Sequence, residues 1–129
     1  GEAGVVAIFL SLLLQGKTPV INGDGRQTRD YVYVDDVVAA NIAALDAQFV
    51  GELNIGTGLE TDVVEIFRQL REASGSKIEA QHGPAKPGEQ RRSCIDARRA
   101  AEVLNWRAKI PLSEGLRRTA HWYRNSLSQ

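Results

Sequence analysis

The spacing of apolar residues divides this chain of 129 residues into short segments of different kinds. From Val5 to Leu14 only Ser11 is polar. Such a run predicts a helix over 3–15 that is apolar nearly all round and hence buried, with Gly16 placed for a left-handed C-terminal cap. Pro19-Val20-Ile21-Asn22 reads as a short strand, Gly23-Asp24-Gly25 as a turn, and 28–34 as a second strand. Its period of two puts Arg29, Tyr31 and Tyr33 on one face and Asp30, Val32 and Val34 on the other. Asp35 and Asp36 are N-cap candidates for a helix to about Asp46, with Val38, Ile42 and Leu45 as its apolar stripe. Leu53-Asn54-Ile55 predicts a short strand ending at Gly56-Thr57-Gly58. Asp62 with Glu65 three residues on predicts a capped helix that buries Val63, Ile66, Phe67 and Leu70 and stops at Gly75. A strand over 78–81, an irregular loop over 84–88 and an extended Ser93-Cys94-Ile95 follow. Asp96 is set to cap a helix to about Leu104, Pro111 breaks the chain, and Ser113 opens a last helix carrying Leu116, Ala120 and Tyr123. The alternation predicts α/β class with a small mixed sheet.

Composition changes this picture little, and charge changes it more. Sixteen basic and sixteen acidic side chains cancel, yet residues 1–84 hold 6 basic and 12 acidic groups while 85–129 hold 10 and 4. The two stretches thus carry minus 6 and plus 6. A basic stretch can serve a phosphate-bearing partner. Here the spacing favours a solvated helical face, and no aromatic-interleaved basic motif argues for nucleic acid. The apolar run of 5–14 is half of the ~20 residues of a membrane span, so no membrane partner is expected. Glu2 stands where a secretory leader would be positive. A single cysteine, Cys94, forms no internal bridge and predicts a reducing compartment, most simply the cytoplasm. Gly1 in place of Met predicts a chain cut from something longer.

Three stretches could carry chemistry. Arg29, held on a strand, offers a guanidinium fit for bidentate phosphate contacts. Lys86-Pro87-Gly88-Glu89 places a cation and a carboxylate three apart, able to grip a phosphate and a ribose diol together. Pro19 to Asn22 is the third. On the residues alone, a structural ion pair between Arg29 and a neighbouring carboxylate competes with ligand binding. Gly56-Thr57-Gly58 lacks the third glycine of a dinucleotide fingerprint, because Thr61 stands there, and reads as a tight turn. His82 and His121 lack metal-ligand spacing.

The string from Gly23 through Arg29-Asp30-Tyr31 to Val38, with Asn54-Ile55-Gly56-Thr57-Gly58, Lys86-Pro87-Gly88-Glu89, Leu104-Asn105-Trp106 and the helix start Leu112-Ser113-Glu114-Gly115-Leu116, resembles the C-terminal half of extended short-chain dehydrogenase/reductases. That is the NAD-dependent sugar epimerase/dehydratase family, and within it the similarity is greatest to UDP-glucose 4-epimerases. It covers the whole chain. The resemblance implies one substrate-binding domain over 1–129, an α/β unit with a small mixed sheet, without the N-terminal Rossmann part that binds NAD. It implies that Arg29 binds pyrophosphate, that Val20 and Asn22 lie on the strand that meets the uracil, and that Lys86 and Glu89 bind phosphate and ribose. The family's arginine is Lys86 here, which removes bidentate geometry at that corner. Neither the family's glycine-rich fingerprint nor its Tyr-x-x-x-Lys pair occurs. The chain alone is therefore expected to hold no cofactor and to be inactive, with NAD belonging to a full-length relative. Such a half would leave the Val38, Ile42 and Leu45 stripe and the 53–55 edge bare and self-associate through them. Two other readings stand beside it: the same half of a nucleotide-sugar 4,6-dehydratase, or a self-associating interaction module without catalysis.

Overall fold

A computed structural model describes residues 2–51, 53–89, 91–92 and 95–127. In chain order it comprises α1 (Glu2–Leu14), β1 (Val20–Asn22), β2 (Thr28–Arg29), α2 (Val34–Asp46), β3 (Thr61–Asp62), α3 (Val63–Ser74), β4 (Gln81–Gly83), α4 (Arg98–Leu104) and α5 (Leu112–Leu127). The α/β class holds. The expected mixed sheet is instead two separate two-stranded ladders: β1 pairs with β4 in parallel, and β2 pairs with β3 antiparallel.

The main core lies where α1, α3 and α5 meet. Leu10, Ile66 and Leu70 are fully buried there, joined by Phe9, Leu13, Ile21, Phe67, Leu116 and Ala120. Burial of each large side chain contributes about 1.5–3 kcal/mol. Helix α3 follows from its sequence. The Asp62 carboxylate accepts the Glu65 amide at 2.8 Å, the apolar positions fall on one face, and Gly75 closes the helix with φ of 73°. Helix α1 corrects the expectation of burial all round: Phe9, Leu10 and Leu13 face the core, whereas Ile8 is 57% exposed. A second, smaller core joins Ala40 of α2, Ala100 of α4 and Trp106, with Leu53 and Ile55 packed against it.

Several expected elements change bounds. The strand over 28–34 is reduced to Thr28–Arg29, because its partner β3 is two residues long and the chain turns into α2 at Val34. Residues 53–55 make no ladder. They are held by side-chain packing into the smaller core. The strand over 78–81 shifts to Gln81–Gly83 to pair with β1. Tyr33, not Asp35 or Asp36, is the N-cap of α2, and Ala97, not Asp96, that of α4. Asp96 still accepts the Arg98 amide at 3.0 Å. Helix α5 opens one residue early, at Leu112. Ser93 and Cys94, expected to be extended, lie outside the described residues. No helix among the described residues is long and apolar enough to cross a membrane.

Candidate functional site

The ladder between β1 and β4 sets the site. Ile21 is 2% exposed and anchors β1 in the core, so its neighbours Val20, 52% exposed, and Asn22 point outward. The parallel register puts Val20 opposite Gln81 and Asn22 opposite Gly83. Packing there is close: a Cβ on Gly83 would lie 3.1 Å from Val20 Cγ1, and one on Gly23 would lie 3.2 Å from Ala85 Cβ. The chain leaving β4 therefore runs beside β1 into Lys86-Pro87-Gly88-Glu89. These four residues form a turn in which the Glu89 amide donates to the Lys86 carbonyl at 3.3 Å. Proline second and Gly88 third, with φ of 76°, is the type II arrangement.

The turn delivers Glu89 to Arg29. Arg29 Nη2 lies 3.6 Å from Glu89 Oε2, with the two side chains 16% and 26% exposed. Arg29 Nη1 also donates to the Thr28 carbonyl at 2.6 Å, which fixes the guanidinium near its own strand. Arg91 and Arg92 are fastened to β2 and its surroundings. The Thr28 amide donates to the Arg91 carbonyl at 2.9 Å. Arg91 grips both oxygens of Asp24 at 2.8 Å. Arg92 meets Glu60 at 3.0 and 2.5 Å, and Glu60 also accepts the Thr28 hydroxyl at 2.9 Å. The hydrogen bond from Arg91, reinforced by the Arg26 amide, holds Asp24 well below the usual carboxylate range. Arg92, then Thr28, lowers Glu60 likewise.

The five residues singled out from the sequence thus fall on β1, on β2 and in the turn after β4. Arg29 and Glu89 meet directly. Val20 and Asn22 share the exposed side of β1, and Lys86 is held in the turn that carries Glu89. The competing structural reading of Arg29 also has its partner, since the neighbouring carboxylate is Glu89 itself.

Periodicity does not reveal two buried carboxylates. Asp30, 8% exposed, accepts the Thr57 and Gly58 amides at 2.9 Å, the Thr57 hydroxyl at 2.7 Å and the Ile95 amide at 3.2 Å. Asp36, 5% exposed, accepts the Lys109 and Ile110 amides, while its carbonyl accepts the Trp106 indole N–H. The available signal for Asp30 is an acid between Arg29 and Tyr31 in a chain that also carries a Gly-x-Gly turn. Asp30 also decides whether that turn fits a dinucleotide. The Thr57 and Gly58 amides that a pyrophosphate would require are engaged, and a Cβ on Gly56 would lie 2.6 Å from Ile95 Cβ and 3.0 Å from Asp30 Oδ2. Gly56 serves close packing and Gly58 a φ of 79°, and these residues do not fit NAD.

A groove of about 600 Å3 lies elsewhere, lined by Gly56, Leu59, Ile95, Trp106 and Leu112 with Arg98. None of the five residues lines it, and Arg98 is taken by Asp96. Charge and direct pairing, rather than a shared concavity, relate the candidate residues Arg29 and Glu89. His82 Nδ1 lies 2.7 Å from the Gly23 carbonyl and His121 Nε2 3.1 Å from Asn125. Among the described residues no group of three His, Cys, Asp or Glu could hold a metal.

Residues 4–119 match the sequence model of the family described as GDP-mannose 4,6 dehydratase. A UDP-glucose 4-epimerase of Mycolicibacterium smegmatis is 46% identical over 126 residues, which are 97% of this chain and 40% of that protein. The crystal structure of UDP-glucose 4-epimerase with UDP-glucose from Thermotoga maritima superposes with a TM-score of 0.90 at 45% identity, covering 98% of this chain and 41% of that one. The UDP-glucose 4-epimerase of Thermus thermophilus in complex with NAD gives 0.87 at 37% identity, covering 98% and 42%. The chain spans about 40% of the length of the curated relatives it matches.

Proposed function

The chain belongs to the epimerase/dehydratase family that the GDP-mannose 4,6 dehydratase model defines, and on that premise we propose that it is the UDP-sugar-binding portion of an NAD-dependent sugar epimerase of the UDP-glucose 4-epimerase kind. The observation that carries the reading is the meeting of Arg29 with Glu89 beside the ladder that bears Val20 and Asn22. Arg29 takes the diphosphate, Lys86 adds a second positive charge, Glu89 accepts the ribose hydroxyls, and Val20 and Asn22 flank the base. In the Thermotoga protein the bound ligand is UDP-glucose, and in the Thermus protein NAD is bound.

The same reading assigns 1–129 to one substrate-binding domain and the nicotinamide chemistry to the remaining length of such relatives. The engagement of the Thr57 and Gly58 amides by Asp30 supports this division. The chain by itself is then inactive, holds no cofactor, works in the cytoplasm, and covers the exposed face of α2 with a second copy.

Calorimetric titration with UDP tests the site. A charge-assisted contact to phosphate is worth about 1.5–3 kcal/mol, so Arg29→Ala weakens UDP by about tenfold to hundredfold. Equal affinities for the wild-type chain and the variant would refute the role of Arg29.

A further inference from the structure

We propose that Glu89 determines specificity by competing with the ligand for Arg29: the carboxylate occupies the guanidinium until a ribose diol engages it, so the site accepts a nucleoside diphosphate and turns away a bare diphosphate. This rests on the nucleotide-sugar reading of the site. The two groups lie 3.6 Å apart and both side chains are largely shielded, where solvent and salt screen an ion pair less than at the surface. The backbone that carries Glu89 is held in place. Its amide is tied to the Lys86 carbonyl, and the chain just beyond is fastened by Thr28 to the Arg91 carbonyl and by Arg91 to Asp24.

An ionised carboxylate only accepts hydrogen bonds, so it repels a phosphate that approaches Arg29. A vicinal diol supplies two O–H donors, which satisfy the same oxygens and leave the guanidinium to the phosphates. Discrimination then comes from a repulsive element that only the correct ligand neutralises. Lys86 does not duplicate the effect, since it stands exposed in the turn without that partner.

Titrating the full chain with UDP and, separately, with inorganic pyrophosphate at one ionic strength tests this. Glu89→Ala removes the carboxylate without adding a donor. Pyrophosphate is expected to bind it about threefold to tenfold tighter than wild type, the range for losing one partly shielded charge contact. UDP is expected to bind it no better than wild type. In an Arg29→Ala background the gain for pyrophosphate disappears, as a double-mutant cycle requires of two groups acting through each other. Pyrophosphate affinity that is unchanged or weaker in Glu89→Ala overturns the proposal, and so does an equal gain without Arg29. Wild-type UDP binding that ignores Arg29→Ala overturns the underlying reading instead.

Discussion

Asp30 sits next to Arg29 in the chain and holds it indirectly, by tying the end of β2 to the turn at 56–58 and to Ile95 through four hydrogen bonds. Removing a buried acceptor leaves donors unsatisfied at about 1–3 kcal/mol each, with relaxation recovering part. Asp30→Ala is therefore expected to lower stability by roughly 2–4 kcal/mol, read as an earlier urea midpoint at unchanged slope. An unaltered midpoint would mean that water replaces the carboxylate at no cost. Arg29 and Glu89 are legible as residue types, because a strand-borne guanidinium and a turn-borne carboxylate suggest phosphate and diol chemistry. Their meeting is not, because it spans sixty residues and depends on how β1 and β4 register. Asp36 shows the opposite failure. Its place before an apolar stripe reads as a cap, but the helix begins earlier, at Val34, and the carboxylate reaches Lys109 and Ile110 instead.

Helix α3 is the element most fully legible, since cap, stripe and stop signal are all local. Asp62→Ala removes the acceptor of the Glu65 amide and should cost about 1 kcal/mol, a drop of about 2–8 °C in melting temperature. A melting temperature that does not move would assign the start of α3 to its packing alone. Strands are less legible because a strand exists only with its partner. Residues 28–34 have the β-branched and aromatic composition of a strand, but β3 offers them two partners. Leu53 and Ile55 have the right apolar character, and packing against Ala40, Ala100 and Trp106 satisfies it without a ladder.

Across the whole molecule, the basic and acidic stretches of the sequence are stitched together, as in Arg91 with Asp24, Arg92 with Glu60 and Arg29 with Glu89. The apolar face of α2 has no such closure: Val38, Ile42 and Leu45 are 47, 54 and 78% exposed. Covering those three with a second copy contributes on the order of 5 kcal/mol per copy, against an association cost of about 4–15 kcal/mol. A weak, concentration-dependent dimer is expected, and Ile42→Glu should sediment as monomer throughout the same range. Identical sedimentation of the two proteins would place the contact elsewhere or nowhere. The parallel ladder between β1 and β4 has a kinetic consequence as well. Pairing Ile21 with His82 closes a loop of some sixty residues, at about 4 kcal/mol of chain entropy, whereas a helix such as α3 forms from neighbours within about a microsecond. Turns of helix can thus form locally before the ladder closes, and until it closes Arg29 and Glu89 are still strangers.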